Sequence, residues 1–140
     1  MKTWIRILSL AFLAAAAFAS CASNPAPASG VLDTRGWELL GRRQVNFSAD
    51  HDALTVTAAK GAFSRLMIVV RDRALEMYDL KVVFSNGEIY PPPSRLVFGR
   101  DTRSRTIDLP GRKRVIRRID FAYRSLGSGL DRADVEVWGK

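Results

Sequence analysis

The segment FSADHDAL contains the only histidine of the chain, His51, between two carboxylates, Asp50 and Asp52. An imidazole flanked by carboxylates can bind a divalent cation, or the carboxylates can orient the imidazole for proton transfer. A polar turn before a strand would have the same composition, because Asp side chains bond the backbone of turns. We therefore predict that Asp50, His51 and Asp52 form a polar turn with no chemical role. A weak metal site at Asp50, His51 and Asp52, in a small hydrolase or metal-dependent enzyme, is the alternative.

Other catalytic and metal-binding patterns are missing from the sequence. There is no second histidine, no P-loop, no G-x-S-x-G and no H-E-x-x-H, which removes the common nucleotide, serine-hydrolase and zinc-protease signatures. The single cysteine, Cys21, precedes the domain and is not placed to act as a catalytic thiol. We therefore expect a non-enzymatic domain without catalytic residues or a cofactor, either a binding module or a purely structural module of the cell envelope.

The run GRKRVIRR concentrates positive charge in Arg112, Lys113, Arg114, Arg117 and Arg118. A guanidinium group donates two parallel hydrogen bonds to phosphate or carboxylate, so clustered arginines suit anionic ligands. The run predicts an anion-binding or membrane-facing surface. A solvated hairpin end, where charge prevents pairing at a sheet edge, is the alternative.

A second basic run, GRDTRSRT, contributes Arg100, Arg103 and Arg105. If both runs lie at the same end of the folded domain, they form one patch. We include Arg103 and Arg105 in the predicted anion-binding set on that basis.

The N-terminal 20 residues have the organisation of a secretory signal peptide. Lys2 and Arg6 supply positive charge, and the apolar run that follows becomes rich in small residues near its end, as in a cleaved leader. The apolar run has about 13 residues, whereas a membrane-spanning helix needs about 20. We predict that residues 1–20 are removed.

The stretch FASC resembles the lipobox of bacterial lipoproteins, in which a cysteine is acylated and becomes the mature N-terminus. Ala19, Ser20 and Cys21 fit that pattern, while Phe18 stands where Leu is usual. Acylation would also cap a thiol that has no disulfide partner. The resemblance implies lipidation at Cys21 and, with Ala22 next, an outer-membrane lipoprotein facing the periplasm. Cleavage after Ala19, with an incidental cysteine, is the alternative.

The mature chain is predicted to be a lipidated tether followed by one basic domain. Residues 21–30 carry no charge and no large side chain, so we expect a short disordered tether. Residues 31–140 then make a single domain of about 110 residues. Without Lys2 and Arg6, 20 basic residues face 14 acidic ones, a net charge of +6. This favours an anionic lipid, a glycan or an envelope protein as partner over nucleic acid, and leaves the oligomeric state open.

Short segments rich in Val, Ile, Phe and Tyr recur between turn signals, which indicates an all-β domain. We predict a single antiparallel β-sandwich of about eight strands, with a small barrel as the alternative. The predicted strands are Trp37–Phe47, Ala53–Ala58, Phe63–Val70, Leu75–Phe84, Ser94–Phe98, Arg105–Leu109, Val115–Arg124 and Ala133–Trp138.

Alternation and turn residues give finer expectations. In Leu75–Phe84, Tyr78 is expected on the inner face with the apolar residues that follow it, and Met77 on the outer face. A β-bulge is expected near Ile116-Arg117, where the alternation changes parity. Asn86-Gly87 predicts a hairpin with positive φ at both turn residues. The first and last strands are expected to pair, with Trp37 in the core.

The run QVNFSADHDALTV, followed by FSRL and later by VIRRIDFAYRS, is similar to the YaaI-like family of small exported bacterial proteins of unknown function. The best-matching positions are Ser48, Ala49, Asp50, His51 and Leu54. The resemblance implies export and a β-sandwich. It brings no activity, ligand or catalytic residue.

Overall fold

The computed structural model describes residues 32–46, 50–92, 95–127 and 132–140, and the predicted leader, Cys21 and tether lie outside them. The described residues contain eleven β-strands and a short 3-10 turn. Searched over the same ranges, no helix has the length and apolar character needed to cross a membrane. The strands are β1 (Glu38–Val45), β2 (Asp50–Thr55), β3 (Ala62–Phe63), β4 (Arg65–Arg71), β5 (Leu75–Phe84), β6 (Ile89–Tyr90), β7 (Leu96–Phe98), β8 (Thr102–Arg103), β9 (Ile107–Asp108), β10 (Arg114–Ser125) and β11 (Ala133–Gly139).

The strands form two antiparallel sheets, which confirms the predicted all-β sandwich. One sheet, here called the β11 sheet, has the order β1-β11-β4-β8, with β9 also paired to β4. The other, here called the β10 sheet, has the order β2-β10-β5-β6, with β3 on β10 and β7 on β5. Each of the eight predicted segments overlaps one of the strands β1, β2, β4, β5, β7, β9, β10 and β11, with bounds that differ by up to three residues. The additional strands, β3, β6 and β8, have two residues each, too few to produce a recognisable alternation.

The core lies between the inner faces of the two sheets. The β11 sheet contributes Val135 and Val137, and the β10 sheet contributes Ile119 and Phe121, all at most 2% exposed. Strand β4 is buried on both faces from Leu66 onward, as its continuous apolar run predicts for a central strand. Fully burying one such side chain contributes roughly 1.5–3 kcal/mol, so this interface dominates the stability of the domain.

Strand β5 contradicts the expectation for Tyr78 and Met77. Met77 is fully buried in the core, and Tyr78 is 42% exposed on the outer face. The reason is an irregularity in the pairing with β10, where Ala122 pairs with Asp79 but Tyr123 pairs with Met77. Tyr78 is left over as the extra residue of a β-bulge, which changes the parity of the strand. Alternation alone does not locate such an insertion.

The bulge expected near Ile116-Arg117 is present. Ile116 pairs with Phe84 and Arg118 with Val83, so Arg117 is the extra residue on β10. Ile116 is fully buried, while Arg117 is exposed. The bulge lets the strand keep an apolar inner face while Arg117 and Arg118 point to solvent.

The turn between β5 and β6 falls where Asn86-Gly87 predicts it, but its geometry differs. Gly87 has a φ of 87°, whereas Asn86 keeps a negative φ. The amide of Gly87 donates to the carbonyl of Phe84 at 3.0 Å, which closes a turn before the glycine. This is a turn followed by a left-handed glycine, the three-residue hairpin loop. The predicted pair of left-handed residues is therefore wrong.

The first and last long strands pair, as expected. Glu38 lies opposite Gly139 in the β1–β11 ladder, so the N-terminal and C-terminal ends of the described domain meet. Trp37, just before β1, is only partly buried rather than a core residue.

Gly139 provides a test of the packing at this end. A Cβ atom built on Gly139 would lie 2.6 Å from Cδ1 of Phe63, a buried ring. We expect Gly139→Ala to lower the free energy of unfolding by about 1–3 kcal/mol, because the ring must shift within a packed core. Urea unfolding measures this value.

The matched control is Gly99→Ala, whose Cβ would lie 3.4 Å from Cγ2 of Thr102. Equal unfolding midpoints for the two variants would contradict the packing described at Gly139.

Candidate functional site

The segment Asp50-His51-Asp52 lies in strand β2, not in a turn before it. Because successive side chains of a strand point to opposite faces, the two carboxylates share one face and the imidazole lies on the other. One oxygen of Asp50 accepts a hydrogen bond from the amide of His51 at 2.8 Å. The strand therefore separates the three groups that the sequence places side by side.

Asp52 joins the two sheets. Its carboxylate accepts hydrogen bonds from Nε of Arg43 on β1 and from the hydroxyl of Tyr123 on β10, both at 2.9 Å. Burial is the main cause that raises the pKa of Tyr123 to about 12, and the hydrogen bond to Asp52 is the second. With 15% of its side chain exposed and both oxygens engaged, Asp52 acts as a structural link.

Across residues 32–46, 50–92, 95–127 and 132–140, no group of three or more His, Cys, Asp or Glu side chains is arranged to hold a metal ion. The arrangement of β2 accounts for this at Asp50, His51 and Asp52, because two of these three side chains point away from the third.

A shallow depression of about 300 Å³ opens on the outer face of the β10 sheet, between His51, Asp79, Lys81 and Asp120. Small side chains, including that of Ala53, leave room for it. Asp79 is paired with Lys81 at 3.0 Å, and Asp120 with Arg118 at 2.7 Å. The depression therefore presents charge pairs to solvent.

The basic run at 112–118 divides into two kinds of residue. Arg114 stacks over the ring of Phe84 with 3.6 Å between guanidinium carbon and ring centre, and donates to Glu88 at 2.6 Å. The hydrogen bond from Arg114 lowers the pKa of the Glu88 carboxyl. Only 18% of the Arg114 side chain is exposed, so this arginine is part of the fold. Arg118 is also engaged within the domain, because it forms the ion pair with Asp120 described above.

The remaining three cations of that run are available to a ligand. Arg112, Lys113 and Arg117 are exposed, and among the residues described none of them has an ion-pair partner. They lie at the end of the sandwich where β10 begins.

The second basic run does not join the first. Arg103 lies on the outer face of the β11 sheet, with Nη1 3.4 Å from the sulfur of Met67. Arg100 lines a depression with Asp72, after the last residue of β4, whereas Arg114 of the first run pairs with Phe63, before the first residue of β4. Arg105 lines a separate depression with Tyr90. The two runs therefore do not form one patch.

A groove that the sequence did not indicate lies at the end of the sandwich beside Lys113. Its volume is about 500 Å³, and the large or charged residues of its lining are Trp37, Glu38, Lys60, Lys113 and Lys140. We call it the basic groove. Lys60 and Lys140 stand outside any charged run, so only the pairing of β1 with β11 and of β3 with β10 brings these lysines together.

Two buried carboxylates on the outer faces were also not predicted. Glu136 on β11 is 0% exposed and accepts hydrogen bonds from Arg42, Arg71 and Trp138. Burial alone would raise the pKa of Glu136, but the hydrogen bonds from these three side chains lower it. The carboxylate is therefore ionised and held by two guanidinium groups.

Glu76 on β5 repeats this arrangement on the other sheet. It is 3% exposed and accepts from Arg95 at 2.6 Å and from Arg124. The pKa of Glu76 is lowered mainly by the hydrogen bond from Arg95 and also by the hydrogen bond from Arg124. Each sheet thus has one carboxylate covered by two arginines.

Glu136 gives a pH-dependent prediction. A lowered folded-state pKa contributes stability that is complete above the unfolded value of about 4.3 and is lost as pH falls through the folded value. We expect Glu136→Gln to lower the free energy of unfolding by about 1–3 kcal/mol at neutral pH, since both arginines remain partly hydrated. Urea unfolding from neutral pH to about pH 3 tests this, and the difference between variant and wild type should shrink at the acid end. A constant difference would contradict it.

Comparison with known proteins identifies the family without adding a function. None of the curated proteins and none of the solved structures compared with this chain matches it significantly. The family model of DUF2541, a domain of unknown function, matches residues 7–139. The chain therefore belongs to the DUF2541 family.

Proposed function

We propose that this protein is a lipid-anchored module of the cell envelope, acylated at Cys21, that binds an anionic envelope component without catalysis. The binding surface is the end of the sandwich that carries Lys60, Arg112, Lys113, Arg117 and Lys140, here called the basic end. Export, outer-membrane sorting and kinship with YaaI-like proteins are parts of the same proposal, supported by the leader and the FASC stretch.

One observation carries the proposal: the chain enters the domain at the basic end. Trp37, just before the first strand, and Glu38, its first residue, line the same groove as Lys60 and Lys113. A lipid on Cys21 would therefore be tethered to the domain at its basic end.

The length of the tether fits this arrangement. Between Cys21 and Trp37 the chain can span at most about 55 Å when fully extended. A short connection keeps the effective concentration of the basic end at the membrane high, so weak individual contacts become significant. Each Lys or Arg near an anionic surface contributes about 1 kcal/mol, and this attraction falls off within a Debye length of about 8 Å.

The described acidic groups favour binding over catalysis. Asp52 is engaged by Arg43 and Tyr123, and Asp79 and Asp120 each contact a cation. A general base needs a carboxylate or imidazole within hydrogen-bond reach of a substrate proton. Asp50 and His51 are exposed and have no ion-pair partner in the part of the chain that is described, and one oxygen of Asp50 accepts from the amide of His51.

The basic end is tested with vesicles. We expect the triple variant Arg112→Gln, Lys113→Gln, Arg117→Gln, in a chain carrying Cys21→Ser, to bind anionic vesicles at least about 30-fold more weakly than its parent, because three surface cations are lost. Co-sedimentation over a series of salt concentrations measures the binding.

The control removes the same charge elsewhere, at Lys81, Arg100 and Arg132, which contact Asp79, Asp101 and Gln44 respectively. It should leave most of the binding intact. Equal losses in the two triple variants would reduce the effect to net charge and contradict a localised surface.

The anchor is tested by intact mass. We expect native protein from the membrane fraction to begin at Cys21 and to carry acyl mass, and Cys21→Ser to abolish both, because the thiol is the site of attachment. A soluble native chain that begins at Ser20 would contradict the lipid anchor. Binding of anionic vesicles by the basic end would then be tested by the vesicle experiment without any role for a lipid.

A further inference from the structure

We propose that the basic groove binds the phosphate of a phosphomonoester lipid headgroup. This inference rests on the proposed function, because it names the ligand chemistry of the same basic end. It adds selectivity: the basic end would distinguish a doubly charged phosphomonoester from singly charged phosphodiester lipids.

The first argument is the charge of the groove. Lys60, Lys113 and Lys140 supply three ammonium groups, and Glu38 supplies one carboxylate, so the side chains of the lining sum to +2. Glu38 is engaged by Lys60, with 3.6 Å between Nζ and Oε1. A phosphomonoester carries about −1.5 to −2 near pH 7, whereas a phosphodiester carries a single charge. The groove therefore complements the monoester.

The second argument is the kind of cation. The lining contains ammonium groups and no guanidinium. Lysine binds phosphate as a point charge, and several ammonium groups can surround one tetrahedral phosphate. Lys113 and Lys140 are exposed, and within the described ranges no ion pair occupies either of them.

The third argument is space. Gly61 lines the groove with a φ of 90°, and a Cβ atom built there would meet no atom within 4 Å. The volume of about 500 Å³ is open to solvent, so a lipid headgroup at a membrane surface can reach it. Trp37 gives this space one aromatic wall, and its amphipathic ring suits the boundary between headgroup and acyl chain.

The experiment compares two vesicle compositions matched in surface charge, one containing phosphatidic acid and one containing phosphatidylglycerol. The protein is the full chain with Cys21→Ser. We expect it to bind the phosphatidic acid vesicles at least about fivefold more tightly, which is the effect of one further Lys contact. At about pH 5, below the second phosphate pKa of about 6, the monoester carries a single charge, and between vesicles matched in surface charge at that pH the preference should disappear.

Two single variants locate the preference. Lys113→Gln, in the groove, should weaken binding to phosphatidic acid about fivefold and abolish the preference. Arg117→Gln, on the bulge outside the groove, removes the same charge and should weaken both kinds of binding while the preference stays. Both side chains are exposed, so neither change should affect folding.

The outcomes separate this inference from the proposed function. Equal binding to both compositions, lost in the triple variant of the basic end, would overturn the inference and support the proposed function. Binding to neither would overturn both. Displacement by soluble glycerol 3-phosphate supports recognition of the phosphomonoester itself. Glycerol 3-phosphate binding without vesicle binding would make the ligand a soluble ester and overturn the lipid assignment.

Discussion

Alternate residues of each long strand must point into the space between the two sheets, and the other features of this domain are adjustments to that requirement. Burial of the inner faces supplies most of the stabilising free energy, so the chain keeps apolar side chains inside even where its sequence breaks the alternation. Bulges at Tyr78 and Arg117 accomplish this. Each inserts one residue and leaves the apolar residues on both sides of it in the core.

The same requirement sends charge to the outer faces, where it is largely neutralised locally. Glu76 and Glu136 are buried although they face outward, because pairs of arginines lie over them. A buried carboxylate is tolerated only when charge and hydrogen bonds compensate for the lost hydration. Much of the arginine content of the domain is therefore structural, including Arg114 on the Phe84 ring. Net charge alone overstates how much of it a ligand can reach.

The accessible cations of the run at 112–118 lie at one end of the sandwich. Arg112, Lys113 and Arg117 are exposed without ion-pair partners in the described part of the chain, and Lys60 and Lys140 join them through the sheet pairing. The first strand begins at this end, so attachment to a membrane and contact with an anionic surface would reinforce each other. The fold thus places the accessible basic residues at the end where the chain enters the domain, which the amino-acid composition does not indicate.

The sequence by itself determined the all-β class, most strand positions, the central place of β4 and the bulge at Arg117, because each follows from local apolar patterning. It did not determine the bulge at Tyr78, since Met77 and Tyr78 are both acceptable inside a core and the pairing with β10 chooses between them. Nor did it distinguish structural from accessible cations. Arg114 and Lys113 are neighbours in the chain, yet only the fold places Phe84 under one and a groove with Lys60 and Lys140 beside the other. Such assignments depend on contacts between distant residues, which only the tertiary structure decided.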